Sequence, residues 1–208
     1  MILAACASGL SSEFRGTGFH AATAEEALRA LHSAGLWIGP RDALEENSDY
    51  RQIIPYVVLR CGDDFIRYTR TPAGGETRLH GQMSIGLGGH IDMPDVVCTG
   101  QSIDLEATIV QASERELQEE LGEIDVARRE WIGVLTDDGT DVGRVHIGVV
   151  AVWHLLTPPA GLTEDAIGEV SLCSLIDLQG AADGLEAWSA MLLPHFSATA
   201  QNREIAYG

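Results

Sequence analysis

The chain has 208 residues and a formal net charge of −18, with 31 acidic residues against 13 lysines and arginines. That length suits one domain with a decorated edge, or one domain plus a small extension, and a hydrophobic content of 45% excludes a disordered chain. The negative charge argues against a partner such as polymeric DNA or RNA, which is held through phosphate contacts. It leaves room for a small phosphorylated substrate, because a bound cation reverses the local field.

Cys6, Cys61, Cys98 and Cys173 form no C-x-x-C pair and fit no zinc spacing, so they read as reduced thiols of a cytoplasmic protein. Leu3-Ala4-Ala5-Cys6 is read as a chance likeness to a lipoprotein box, since no basic and apolar leader precedes it. No run approaches the roughly 20 apolar residues of a membrane span, so no membrane partner is expected.

Along the chain, residues 1–22 are small and polar and predict no definite element. Thr23 followed by Glu26 reads as a capping box, Ala27, Leu28, Leu31 and Ala34 as the apolar stripe of a helix, and Gly35 as its stop. Residues 1–40 are expected to form an N-terminal extension with one helix, and residues 41–208 the main domain. Ile53–Leu59 predicts a strand, with Pro55 pointing to an edge or bulge. Phe65–Thr71 predicts its hairpin partner across Gly62-Asp63-Asp64, and Pro72–Glu76 a turn-rich loop.

A long helix is predicted from Ser102 or Asp104 to Gly122, with Leu105, Ile109, Ala112, Leu117 and Leu121 toward the core. Trp131–Thr136 predicts a strand and Asp137–Asp141 a turn. Val145–Leu156, apolar on both faces, predicts a central strand covered by helices. Pro158, Pro159 and Gly161 mark a loop, and Leu185–Leu193 a short helix with Trp188 and Leu192 on one side. Strands around one long helix, with a second helix late, predict an α/β/α sandwich with a mixed β-sheet.

The chemistry concentrates in Arg115-Glu116-Leu117-Gln118-Glu119-Glu120-Leu121-Gly122. Its glutamates at i, i+3 and i+4 fall on one helix face, where they repel one another. A hard divalent cation relieves that repulsion by taking their oxygens as ligands. A solvated Glu-rich helix face is the competing reading.

Upstream lies Ser84-Ile85-Gly86-Leu87-Gly88-Gly89-His90-Ile91-Asp92, an apolar run ending in a double glycine. Together the two segments resemble the Nudix (MutT-like) hydrolase family, whose signature is Gly-x5-Glu-x7-Arg-Glu-U-x-Glu-Glu-x-Gly-U, with U aliphatic. Arg115, Glu116, Leu117, Glu119, Glu120 and Gly122 match in order. The last aliphatic position falls on Glu123, with Ile124 one step late. From Gly89 to Arg115 is 26 positions (115 − 89), where the signature has 14, so this loop carries about a dozen extra residues. The isolated signature glutamate, which in the family mostly supports the arginine, should stand at position 107. That residue is Ala107, and Glu106 beside it is rotated by about 100° on a helix. Residues 51–92 are further similar to a bacterial Nudix subgroup of predicted phosphoesterases, and the likeness extends over about residues 40–178.

The resemblance implies a Nudix-type sandwich and hydrolysis of a diphosphate linkage in a nucleoside diphosphate derivative. It implies Mg²⁺, with Mn²⁺ able to substitute, held by Glu116, Glu119, Glu120 and the Gly89 backbone. Glu119, Glu120 and Arg115 are the candidate catalytic residues, Arg115 by holding a glutamate in place. Arg70, Arg78 and His90 are candidate substrate contacts. The two arginines belong to the set Arg60, Arg67, Arg70 and Arg78 that precedes the box, of which one or two are expected to bind phosphate. For His90, a bond to backbone competes with a phosphate role. Asp137, Asp138 and Asp141 read as turn residues before metal ligands, and Glu164 and Glu169 as solvated acids before a catalytic base. Tyr56, Tyr68 and Trp153 either stack a base or pack a core. The inserted loop, Asp92 to Ile103, holds two acids and no base, so it is expected to shape a pocket wall without clamping phosphate.

Two functions compete: a Mg²⁺-dependent pyrophosphohydrolase, and a non-catalytic Nudix-fold module that binds a nucleotide or a partner. An isoprenoid diphosphate isomerase on the same fold needs a cysteine near the box strand, and positions 83–92 hold none. A homodimer is compatible with the sequence, which does not identify the substrate.

Overall fold

A computed structural model describes residues 1–71, 81–159 and 167–207, leaving aside the side chains of residues 70, 167 and 201–207. In chain order it contains β1 (Ile2–Cys6), β2 (Gly18–Ala21), α1 (Ala24–Ala34), β3 (Leu36–Gly39), α2 (Arg41–Glu45), β4 (Tyr50–Cys61), β5 (Asp64–Arg70), β6 (Met83–Ser84) and β7 (Gly86–Gly88). There follow β8 (Cys98–Thr99), β9 (Ser102–Ile103), α3 (Leu105–Leu121), β10 (Val126–Thr136), β11 (His146–Leu155), β12 (Ile167–Cys173), α4 (Leu175–Gly180) and α5 (Ala187–Tyr207). The class is mixed α/β with a large mixed sheet, as expected.

The chain divides into two compact units. The first comprises Met1–Val57, Leu87–Gln118 and Arg129–Val152, and the second Val58–Gly86, Glu119–Arg128 and Trp153–Gly208.

In the first unit β4 neighbours β11, which neighbours β10 and then β2, while β1 and β7 also pair with β4. β4 thus pairs with β11, β1 and β7, so of the edge or bulge predicted from Pro55 the edge is not found. The segment 1–40 supplies more than a helix. β1 pairs antiparallel with β3, Ala4 facing Trp37, and with β4, Ala4 facing Gln52. Its apolar residues are what a strand sandwiched between two neighbours accommodates, and Leu3, Ala4 and Ala5 are buried.

α1 opens on the predicted capping box: the Thr23 Oγ accepts from Glu26 N, and the Glu26 carboxylate accepts from Thr23 N at 2.8 Å. Leu31, Leu3, Ile53, Ile91, Ile109 and Ile147 belong to one buried cluster. Each such side chain contributes roughly 1.5–3 kcal/mol by leaving water.

α3 begins where Asp104 caps it, its Oδ1 accepting from Ala107 N at 3.1 Å. It ends at Gly122, whose φ of 72° is a conformation that favours glycine. The predicted core positions Leu105, Ile109, Ala112, Leu117 and Leu121 are all buried. The inserted loop is structured. A 3-10 turn at Met93–Asp95 leads to the β8–β9 hairpin, which reverses at Gly100 with φ 66°. Pro94 O accepts from Gln111 Nε2 at 3.0 Å and Val97 N donates to Thr108 Oγ1 at 3.0 Å, so the insertion lies along the early turns of α3.

In the second unit β5 follows β4 in the predicted hairpin, Arg60 facing Phe65. It pairs on its other side with β12, a strand the sequence reading missed. Helix α5 runs to Tyr207 with Pro194 inside it, so the late helix is far longer than Leu185–Leu193. Phe65 and Phe196 meet edge to face at 4.9 Å. Beneath α5, Ser189 Oγ donates to Glu186 Oε1 at 2.6 Å and accepts from Ile85 N at 3.0 Å, a buried network that satisfies each polar group.

Candidate active site

The site grows from Arg115 on α3. Its guanidinium grips Asp95 with two bonds, Nε to Oδ1 and Nη2 to Oδ2, both 2.9 Å. The same Nη2 donates to His90 O at 2.9 Å, and Nη1 donates to Glu116 Oε1 at 2.9 Å. One side chain thereby ties together the insertion, the Gly-Gly-His loop and the acidic helix. Asp95 is 2% exposed. Deleting Arg115 would leave this buried carboxylate without its charge partner, with the Asp92 N–H still bonded to it, a loss of roughly 3 kcal/mol. The bonds to Asp95 raise the arginine further above its ordinary pKa.

Gly89 lies against the second carboxylate of this cluster. A Cβ built there would overlap the carboxylate of Glu116, and one at Gly88 would overlap the carbonyl oxygen of Pro55. At Gly88 glycine is therefore a steric requirement, because the overlap is with backbone, while a side chain at Gly89 would enter only by displacing the Glu116 carboxylate.

His90, expected either to bond backbone or to reach substrate, instead faces His146, the two Nε2 atoms 3.4 Å apart. His146 Nδ1 lies 2.8 Å from Val142 O, which as a carbonyl can only accept. That assigns the proton of His146 to Nδ1 and makes its Nε2 the acceptor for His90 Nε2–H. Burial, reinforced by the positive charges of Arg41 and Arg115, pushes His90 down to about 3, so the ring is neutral at neutral pH.

Glu116, Glu119 and Glu120 share the C-terminal part of α3. Glu116 has a side chain 19% exposed, Glu119 is exposed and Glu120 is 8% exposed. Among the described residues no group of three His, Cys, Asp or Glu side chains is arranged to hold a metal ion. The donor chemistry nonetheless fits a hard cation. The helix places carboxylates one turn apart, and Gly89 leaves backbone bare directly against one of them.

The remaining candidates divide. Arg60 stacks on Phe65 at 4.7 Å and donates to Asp63 O, while Arg67 donates to Ser171 Oγ at 3.2 Å. The side chain of Arg70, all of Arg78 and Glu164 lie outside the described residues. Glu169 is exposed at the β12 bulge with φ 42°, a left-handed conformation that costs a non-glycine residue about 1 kcal/mol. Tyr56, Tyr68 and Trp153 are at most 4% exposed, so they pack the core and stack no base.

Asp137 belongs to its turn, accepting from Gly139 N at 2.9 Å and Thr140 Oγ1 at 2.7 Å. Asp138 accepts from Gly16 N at 2.7 Å and pairs with Arg51, whose side chain is 10% exposed. Burial pushes Asp138 up, but the Arg51 and Gly16 hydrogen bonds outweigh it and hold the group below the usual carboxylate range.

Asp95 and His146 escaped the sequence reading. For Asp95 a signal existed: Arg115 had no partner at position 107, and the insertion contributed two acids and no base.

Fold and acidic helix together define an α/β/α sandwich of the Nudix type. No protein-family model matches the chain. Over 159 residues it is 31% identical to protein YmaB of Bacillus subtilis, with 74% of each chain covered. It is similar to Tm1382, a protein assigned to the Nudix hydrolases. The TM-score is 0.75 at 26% identity, covering 93% of this chain and 96% of that one. It shares its fold with the Nudix domain of Shewanella oneidensis NrtR at a TM-score of 0.52 and 14% identity, covering 73% of this chain and 88% of that one. The chain belongs to the Nudix hydrolase family. Among the described residues no helix is long and apolar enough to cross a membrane.

Proposed function

We propose that this Nudix hydrolase cleaves a diphosphate linkage in a nucleoside diphosphate derivative or a related small phosphorylated metabolite, in the cytoplasm. The reaction depends on Mg²⁺, with Mn²⁺ able to substitute. The observation that carries the reading is the acidic face of α3, whose Glu116 carboxylate lies against bare Gly89 backbone and is held by Arg115. Glu116, Glu119, Glu120 and the Gly89 carbonyl would hold the metal. When bound, it neutralises phosphate oxygens and supplies a more acidic water.

The chain's own residues do the rest. Arg115 fixes the rotamer of Glu116 and connects it to the loop that carries Gly89. His90, neutral and hydrogen-bonded to His146, is a candidate donor or acceptor toward substrate that adds no charge of its own. Arg70 and Arg78 remain the proposed phosphate contacts.

A second reading, a non-catalytic module that binds a nucleotide, draws on Ala107 in place of the signature glutamate. It also draws on the absence, among the described residues, of a ready-made cluster of three metal-ligating side chains. One experiment separates the two. A panel of nucleoside diphosphate derivatives, including ADP-ribose, the ligand in the NrtR complex, is incubated with the protein in Mg²⁺ and in EDTA, and phosphate-containing products are quantified. Turnover of at least one substrate in Mg²⁺ and none in EDTA is expected. Binding without turnover across the panel would establish the second reading.

A further inference from the structure

We infer that Asp95, supplied by the insertion, is the positioning residue that holds Arg115 in place of the glutamate missing at position 107. The inference rests on the metal-dependent reading above and deepens it.

Position 107 does not do this work in this chain, because Ala107 carries no carboxylate. Ala107 lies in the first turn of α3, eight residues before Arg115. Eight residues of helix advance about 12 Å along the axis and turn about 80° away. Glu106, one position earlier, is exposed in the same turn.

Asp95 solves the problem from outside the helix. Its two oxygens meet Nε and Nη2 of Arg115 at 2.9 Å each, the bidentate geometry that a planar guanidinium favours. It is itself fixed, since Oδ2 also accepts from Asp92 N at 2.8 Å and the Met93–Asp95 turn is anchored to α3 through Pro94 O and Gln111. Burial of Asp95 to 2% exposure excludes water as a competing partner.

Two consequences follow for Glu116, which Arg115 touches through Nη1. With Asp95 present, the arginine is aimed and its charge is largely balanced, so Glu116 keeps its affinity for a cation. Without Asp95, an unbalanced guanidinium turns toward Glu116, which it already touches, and competes with metal for it. The insertion therefore has a second role beyond any effect on a pocket wall: it completes the support of the metal face.

The test is Mn²⁺ binding by the full-length protein without substrate, read by electron paramagnetic resonance, in the wild type, Asp95→Asn, Arg115→Ala and the double variant. Circular dichroism first confirms that each is folded at the assay temperature. Asp95→Asn should weaken Mn²⁺ binding roughly 10–100-fold, the range seen when a residue that orients a metal ligand is lost. Adding Asp95→Asn to Arg115→Ala should cost little more, because the aspartate acts through the arginine. With the best substrate of the panel, turnover by Asp95→Asn should fall at limiting metal and recover toward wild type as metal is raised, while KM for substrate changes little. A merely structural role would lower the melting temperature and leave Mn²⁺ affinity alone. Wild-type binding by Asp95→Asn, or additive losses in the double variant, would overturn this inference and leave the proposed function standing. Absence of Mn²⁺ binding by the wild type would overturn both.

Discussion

The carboxylate of Glu116 occupies the space that a side chain at Gly89 would need. Loop backbone and helix acid are thus in direct contact, with Arg115 bonded to both the His90 carbonyl and Glu116. Gly89→Ala must displace one or the other. Mn²⁺ affinity should fall by about tenfold or more, as expected when support around a metal ligand is disturbed. A binding titration of the folded variant checks this, and unchanged affinity would remove the Gly89 backbone from the site.

Glu119→Gln and Glu120→Gln keep size and remove charge. If each carboxylate contributes several kcal/mol to the transition state through the metal, kcat/KM should drop by about 10²-fold or more in each. Steady-state kinetics on the panel's best substrate decides, and full turnover by either variant excludes that residue from the mechanism.

Glu106→Gln is the contrasting case. Glu106 is exposed in the first turn of α3, and Arg115 already has its carboxylate partner in Asp95. Turnover should stay within a few-fold of wild type. A loss as large as that of Glu120→Gln would show that the start of the helix belongs to the chemistry.

The tip of the insertion can be altered without touching Asp95. Replacing the β8–β9 hairpin, Cys98 to Ile103, with a short Gly-Ser turn should shift relative rates across the substrate panel while the Mg²⁺ requirement persists. The same ranking of substrates before and after the exchange would reduce the hairpin to decoration.

Arg51 and Asp138 give a pH prediction. Asp138 is held below the usual carboxylate range in the fold, against about 3.9 when unfolded. A depressed folded value stabilises the protein above the unfolded pKa. As pH falls below about 4 that contribution declines, and it is gone once pH passes the folded value. Side-chain NMR titration should place Asp138 below an ordinary aspartate, and Arg51→Met should move it upward. No movement would mean that the pair contributes nothing to the titration.

Local physics made much of this protein legible from its sequence. The Thr23–Glu26 box, the Asp104 cap and Gly122 bound their helices through groups within a turn of each helix end. The period of Leu105, Ile109, Ala112, Leu117 and Leu121 told which side of α3 is buried, because a helix repeats every 3.6 residues wherever it lies. The acidic run could be read as a candidate metal face for the same reason.

What the sequence could not decide depends on contacts between distant segments. The short apolar run Leu3 to Ala5 looks undistinguished until β3 and β4 flank it, and Pro55 signals an edge only where no partner covers the strand. Asp95 shows the difference most directly. In the sequence it is an acid in an unusually long loop, 20 residues from Arg115. Only the folding of the insertion back along α3 brings its two oxygens to the guanidinium, and no spacing rule encodes a partner delivered from another element.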